Sequence, residues 1–434
     1  MDMAIIGTIS IFTLIVLFLI GVPVAYAMAI IGVIGFSYVV STGAGLSMLA
    51  IEIFDNFAEY SLTVVPTFVL MGSLAFAAGI TKRLYDAGYT LFGRMRGGLA
   101  ISTIAACAGF AAICGSTNAT AAAMGKVALP EMKRYNYDDG LATGCVASAG
   151  SLGILIPPST ILIIYGIMTE QSIGKLFIAG VLPGILLAIL FMIAVFLRCW
   201  KDPAAGPAGP STTMKQKLIG LSGLSEMGIL FGLVMGGLFA GWFTPTEAGG
   251  AGAAGALLIA VARRSITWQG LIEAFKDTLL ITCMVLTIVT GALIFGRFMT
   301  VTHIPFMLSD WVGGLPISPL AVMALIILIH FIGGCFMDAF ALIVLTIPIV
   351  FPVVTALGFD PIWFGVLIVL ICEMGVITPP VGINVYVIKG VAPDVPLTTI
   401  FKGVIPFVIA LVIGTTLLTI FPQIATFLPS FMSY

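Results

Sequence analysis

Two stretches of this chain, about 220 residues apart, carry the same interrupted pattern, and a lipid environment leaves few ways to fold it. The first runs Gly115-Ser116-Thr117-Asn118-Ala119-Thr120, an apolar segment, then Gly153-Ile154-Leu155-Ile156-Pro157-Pro158-Ser159. The second runs Gly333-Gly334-Cys335-Phe336-Met337-Asp338, an apolar segment, then Gly375-Val376-Ile377-Thr378-Pro379-Pro380-Val381. Each pairs a small polar break with a second break at a double proline. At membrane depth every freed backbone group must find a partner, so broken helices survive only where they line a cavity or bind something. Paired breaks in two halves of a chain point to a transporter's ion and substrate site.

Composition places the chain in the bilayer. Of its 434 residues, 60% are hydrophobic and 9% charged, with mean hydropathy +1.20. Soluble domains carry about 25% charge. At roughly 20 residues per helix there is room for about a dozen spans and none for a soluble catalytic domain. A net charge of −1 leaves no nucleic-acid footprint. The segment from Ala4 to Ile20 follows Asp2 rather than a basic residue and lacks an Ala-x-Ala site, so a first span is expected rather than a signal peptide. The seven cysteines and two histidines show no metal-like or catalytic spacing, so the chain is read as no enzyme.

The expected fold class is an all-α polytopic membrane protein. Spans are expected at 3–20, 24–40, 61–80 and 175–198, a re-entrant hairpin at 99–130, and a span at 140–168 broken at Pro157-Pro158. After a linker at 201–217, rich in Pro, Gly, Ser and Thr, spans follow at 218–240, 247–262 and 278–296. A second hairpin is expected at 312–352, a broken span at 362–390 and a last span at 399–421. The halves, 1–200 and 218–434, align in order. Pro23 and Pro245 differ by 222, as do Pro157 and Pro379; Pro183 and Pro406 differ by 223, and Asn118 and Asp338 by 220. Gly and Pro are common here and any one such match can arise by chance, but four in the same order at nearly one offset favour a repeat.

Charge sets the orientation. With both termini periplasmic and each hairpin re-entering from its own side, each half crosses five times and the second half is inverted. Fifteen of the eighteen basic residues then face the cytoplasm, as the positive-inside rule requires. Lys175 and Arg297 fall outside, and Lys126 lies within the first hairpin, where snorkelling to the cytoplasmic surface is expected. Trp200 and Trp268 would mark the inner belt, and Trp242, Trp311 and Trp363 the outer one.

The tip Ser116-Thr117-Asn118 offers hydroxyls, an amide and freed carbonyls without charge, which suits a weakly held monovalent cation. Pro157 and Pro379 each leave the carbonyl four residues back without its helical partner, making Gly153 and Gly375 carbonyls candidate ligands. Packing of small residues is the plainer account of Ser116 alone. Asp338 can ligate a cation, carry a proton or N-cap the return helix. Glu373 is a candidate coupling residue, with a buried structural acid the equal alternative. Thr244-x-x-Glu247 reads as a capping box, and His330 as a packed core histidine. The segment from Leu46 to Tyr60 reads as an outer interfacial helix whose acids, Glu52, Asp55 and Glu59, form a solvated face.

These strings, with Gly79-Ile80-Thr81-Lys82-Arg83-Leu84, Arg96-Gly97-Gly98-Leu99-Ala100, Ala179-Gly180-Val181-Leu182-Pro183-Gly184 and Phe243-Thr244-Pro245-Thr246-Glu247-Ala248, run in family order over nearly the whole chain. The chain thereby resembles the large permease (DctM-like) subunit of tripartite ATP-independent periplasmic (TRAP) transporters. The resemblance implies an elevator-type inverted repeat in a bacterial inner membrane. It implies Na⁺-coupled uptake of an organic anion, such as a C4-dicarboxylate, sialic acid or another acidic sugar or keto acid, with two or more Na⁺ ions. It implies a periplasmic substrate-binding protein and a small four-helix membrane subunit, here expected as a separate chain because this one starts at its first span. Carried over by position, one Na⁺ site would use Ser116, Thr117, Asn118, Gly153 and Pro157, and the other Gly334, Asp338, Thr378 and Pro379. Thr120, Ser159, Cys335 and Asn384 are substrate-facing candidates. Where many members carry an Asp in the first tip, this chain reads Asn118-Ala119-Thr120, leaving that tip without an acid. The alternatives are a stand-alone Na⁺/carboxylate symporter needing no binding protein, and a passive channel.

Overall fold

Polar residues punctuate an otherwise apolar chain, and helices begin where they fall. Ser41, Ser116, Asp138, Ser159, Ser172, Thr244, Thr267, Ser318, Asp338 and Asp360 each accept a backbone N–H of the helix they open, supplying orphan donors with the partner they would lack in lipid. The computed structural model describes residues 3–209, 213, 217 and 220–432. Among these, seven helices are long and apolar enough to cross a membrane, and four shorter apolar helices accompany them.

The helices sort into an outer and an inner set. The outer set comprises Met3–Leu19, Val24–Val39, Thr42–Ala58, Val64–Ala77, Ser225–Phe239, Pro245–Ala262 and Trp268–Val301. The long helix Trp268–Val301 packs along Val24–Val39 and Val64–Ala77, and Val64–Ala77 also packs on Pro245–Ala262. The inner set holds two hairpins, Gly98–Cys114 with Thr117–Arg134 and Pro319–Phe336 with Ala339–Ala356. It also holds two broken helices, Asp139–Ser151 with Thr160–Met168 and Pro361–Val376 with Ile383–Val391, and the helices Ile173–Lys201 and Leu397–Ile420. Residues 139–160 and 361–377 are buried almost without interruption, so the inner set is the core. Glycines bring its backbones together: a Cβ on Gly403 would fall 1.9 Å from the Gly140 carbonyl oxygen, and one on Gly144 2.3 Å from Gly403.

Several sequence expectations change. Two amphipathic helices not foreseen, Ile80–Phe92 and Ile304–Gly313, join the outer set to the hairpins. The span expected at 278–296 extends over 34 residues from Trp268, because its first turns, with Gln269, Glu273, Lys276 and Asp277, are helical but too polar to register as membrane. The predicted linker at 201–217 lies partly outside the described residues. Its start is pinned to the turn before the first hairpin, with Gly97 N–H donating to Gly206 O (2.8 Å) and Gly209 N–H to Gly93 O (2.8 Å). Trp363 is not a belt residue: it is buried and donates to Leu418 O (2.8 Å), whereas Trp200, Trp242, Trp268 and Trp311 are exposed. The helix Thr42–Ala58 does not present all its acids to solvent. Glu52 is buried and pairs with Arg297 (2.7 Å), and Asn56 donates to Leu286 O and Thr290 Oγ1.

Candidate functional site

Each hairpin turns at an N-cap. Gly115 ends the first arm with φ +65°, and Ser116 then opens the return helix, its hydroxyl accepting Ala119 N–H (3.4 Å). In the second hairpin Asp338 opens the return helix, its carboxylate accepting Phe340 N–H (3.0 Å). Ser116 and Asp338 lie 222 residues apart, the same offset as the two double prolines. The residue in Asp338's place is therefore Ser116, and the earlier pairing with Asn118 is corrected by two positions. The cap role of Asp338 holds.

The first tip folds onto the first break. A Cβ on Gly153 would lie 2.5 Å from the Ser116 carbonyl oxygen and 2.9 Å from Thr120 Oγ1, so only glycine admits the tip here. Thr120 Oγ1 donates to Ser116 O (2.7 Å) and Thr160 Oγ1 donates to Gly115 O (2.9 Å). Ser159 caps the helix after the break, accepting Leu162 N–H (3.2 Å), and donates to Ile154 O. Pro157 and Pro158 are fully enclosed and joined by a cis peptide bond. The second tip meets the second break backbone to backbone, a Cβ on Gly375 falling 2.4 Å from the Gly334 carbonyl carbon. Cys335 O accepts Val381 N–H (3.1 Å), and Thr378 Oγ1 donates to Met374 O (2.6 Å). Pro379 and Pro380, also joined by a cis bond, are exposed, unlike their counterparts. The Gly375 carbonyl is not left bare as expected, because Thr378 N–H donates to it (3.0 Å) in the turn that the prolines create.

Hydrogen bonds from Asn384 join the two tip–break units. Asn384, fully buried on Ile383–Val391, donates from Nδ2 to Thr117 Oγ1 (2.8 Å) and to Ala147 O (3.1 Å). Thr117 and Asn384 are 267 residues apart, beyond any local sequence signal.

Both tips open onto a single cavity of about 960 Å³, within the range of small-ligand sites. Ser116, Thr117 and Asn118 line it from the first hairpin, and Asp338, Ala339, Phe340 and Ala341 from the second. The facing wall comes from the outer set, at residues 23–26, 69–76 and 277–288. Thr120, Ser159, Cys335 and Asn384 are buried behind the tips and are not among the described residues that line this cavity. Lys126, expected to snorkel toward the cytoplasmic surface, is exposed and lines the cavity, on the same helical face as Ala119, Ala122 and Ala123. Glu373 is fully enclosed, and neither carboxylate oxygen has a hydrogen-bond partner among the described residues. His330 is held at both ring nitrogens, by Ile326 O and Thr346 Oγ1 at 2.8 Å each, as a packed histidine. Around the tips hydroxyls, an amide, carbonyls and one carboxylate supply oxygen donors, beside the thiols of Cys114 and Cys335. The oxygen donors suit a hard cation such as Na⁺.

Comparison with known proteins gives a consistent result. A family model described as "Tripartite ATP-independent periplasmic transporter, DctM component" matches residues 11–424. The C4-dicarboxylate TRAP transporter large permease protein of Pseudomonas aeruginosa is 35% identical, over 88% of this chain and 90% of that protein. The sialic acid TRAP transporter large permease protein of Vibrio cholerae is 33% identical over 98% and 99%. An isethionate TRAP transporter permease protein of Oleidesulfovibrio alaskensis is 32% identical over 94% of this chain but only 64% of that protein. Among solved structures, the Alcanivorax borkumensis YdaH transporter shares the fold, with TM-score 0.61 at 15% identity over 87% of this chain and 89% of that chain.

Proposed function

Since this chain belongs to the DctM-component family of tripartite ATP-independent periplasmic transporters, we propose that it carries a small organic anion across a bacterial inner membrane, coupled to Na⁺. It is a polytopic membrane permease, and its family relatives are permeases rather than enzymes. The observation that carries the proposal is that both broken hairpins present oxygen-rich tips to one ligand-sized cavity.

The helix series supports an inverted repeat spanning 1–200 and 218–434. Met3–Leu19 answers Ser225–Phe239, Val24–Val39 answers Pro245–Ala262, and Ile80–Phe92 answers Ile304–Gly313. Hairpin then answers hairpin, break answers break, and Ile173–Lys201 answers Leu397–Ile420. In this proposal the inner set is the moving block of an elevator and the outer set its scaffold, with the cavity at their seam. The cavity wall favours an inward-open state: Pro23, Phe76, Lys126 and Asp277 all belong to ends that the positive-inside orientation, with both termini periplasmic, puts in the cytoplasm.

Na⁺ would be held at the first tip by Ser116, Thr117, Asn118 and the Gly153–Pro157 turn, and at the second by Gly334, Asp338, Thr378 and Pro379. Ions that order both tips prepare them for the anion, and the coupling equals the difference in affinity between ion-loaded and ion-free block. A periplasmic binding protein delivers the anion, and a small membrane subunit braces the scaffold. The relatives' names favour this tripartite system over a stand-alone symporter.

The test is uptake of radiolabelled organic acids into proteoliposomes, with and without binding protein and an inward Na⁺ gradient. Uptake needing both supports the proposal. Uptake unchanged when choline replaces Na⁺ at fixed membrane potential overturns the coupling, and Na⁺-driven uptake without binding protein overturns the tripartite assignment.

A further inference from the structure

Three charged side chains line the central cavity: Lys126, Asp277 and Asp338. Asp338 is turned to the backbone of its own helix through Phe340 N–H. Lys126 has neither an ion-pair nor a hydrogen-bond partner among the described residues. Among the described residues it is the one cation on the wall of a cavity whose proposed cargo is an anion. We propose that Lys126 binds the carboxylate, or an equivalent sulfonate, of the transported anion; this rests on the transport function proposed above.

The position is built for such a contact. Ala119, Ala122, Ala123 and Lys126 recur at helical spacing along the return arm, and all four line the cavity. Three methyl side chains form a ledge running from the Ser116–Asn118 tip, and Lys126 follows them along the same face. Seven residues at about 1.5 Å each put Lys126 roughly 10 Å from the start of that ledge, a length that a small organic acid and the lysine stem together can span. Helical Cα–Cβ bonds lean toward the helix N-terminus, which here is the tip, so the lysine stem starts out in the direction of the ledge.

The other cations of this arm behave differently. Lys133 and Arg134 lie in its last turn, where they face the helix's negative end, and Lys133 pairs with Asp394. Lys126 is about two turns deeper than these. Lys126 is exposed, so its ammonium is open to an incoming carboxylate, and the apolar wall beside it reduces the screening of that pair relative to open water. An anion held there also rests on the moving block, since Lys126 and the tip share one helix.

The experiment uses the full-length chain in nanodiscs at saturating Na⁺, with succinate, N-acetylneuraminate and isethionate as probes. Binding is read from the ligand-dependent rise in unfolding temperature, and uptake is measured in parallel in proteoliposomes holding the same chain with its small membrane partner and binding protein. The expected result is that at least one acid binds the wild type, that Lys126→Gln weakens it about 10- to 100-fold, and that Lys126→Arg retains most of the affinity. Because Lys126 has no protein partner to lose, the unliganded unfolding temperature of Lys126→Gln should match wild type. Equal affinity in Lys126→Gln overturns the assignment while leaving Na⁺-driven uptake, and hence the transport function, in place. Equal losses in the Gln and Arg variants overturn it too, since charge would then not be what binds. If no acid in the panel binds the wild type and none is taken up, the anion function falls and the assignment with it.

Discussion

Asp338 combines two tasks that one substitution separates. Asparagine caps a helix about as well as aspartate, so Asp338→Asn should keep the Phe340 N–H bond and leave folding within about 1 kcal/mol of wild type. It removes the only carboxylate at either tip. The Na⁺ concentration for half-maximal uptake is therefore expected to rise about tenfold or more, the scale of a lost charged ligand. An unchanged Na⁺ dependence would remove Asp338 from the cation site. Asn384 poses a complementary case. Its Nδ2 ties the second break to Thr117 of the first tip, so the two tips share a wall that neither half builds alone.

At the scale of elements, the arms and caps fix where the helices stand. Glu226 at the start of Ser225–Phe239 is buried and receives both Arg83 (2.6 Å) of Ile80–Phe92 and Arg263 (2.8 Å) beyond Pro245–Ala262. It locks the first arm to the scaffold of the other half. Glu226→Ala strands two guanidiniums; because both are partly exposed, the expected loss is moderate, about 1–3 kcal/mol, measurable as a lower unfolding temperature. The capping box read from Thr244-x-x-Glu247 is present: Glu247 Oε2 accepts Thr244 N–H (2.8 Å) and Thr244 Oγ1 accepts Glu247 N–H (3.3 Å). The Thr244 N–H donating to it holds the Glu247 carboxyl below its ordinary value of 4.5. A carboxyl lowered on folding adds stability that is complete above its unfolded pKa and is lost as pH falls through the folded one. Wild type should therefore outlast Glu247→Gln at pH 7, and the gap in unfolding temperature should narrow as pH falls below 4.5. A gap independent of pH would show that the charge of Glu247 plays no part in the cap.

Across the whole molecule, a native thiol reports which side the cavity faces. Cys283 is the exposed cysteine of the seven and lines the cavity from the scaffold wall, while the other six are buried. A membrane-impermeant maleimide should label it in inside-out vesicles and spare it in right-side-out ones, and a transported acid with Na⁺ should slow the labelling. Labelling from the periplasmic side would invert the assigned orientation of the cavity. Much of this architecture was legible in the residues. The hairpins and breaks announced themselves because lipid tolerates Gly-Ser-Thr-Asn and Pro-Pro only at designed interruptions, and the caps because Ser, Thr and Asp open helices. The arms at 80–92 and 304–313 were not, since short amphipathic helices lack the hydropathy of a span. Nor were Trp363, whose indole reaches Leu418, and the Asn384–Thr117 bond, because partners 55 and 267 residues away leave no local pattern. Lys126 was visible in the helical stripe but could be placed on the cavity only once the facing wall was known.

The glycine contacts within the inner set also limit how this sequence can drift. Any coding change at a glycine introduces a Cβ, and at Gly144, Gly375 and Gly403 that atom would sit within 2.4 Å of a facing backbone, which cannot swing aside as a side chain would. No neighbour in the genetic code is acceptable there. A saturation scan for function should show those three columns blank beside the lipid-facing positions of Ser225–Phe239, where Gly228, Gly232 and Gly236 have open space around them and should accept alanine. The block that holds the site would thus be the part of the protein least free to vary, and adaptation to new cargo would fall to the residues that merely line the cavity.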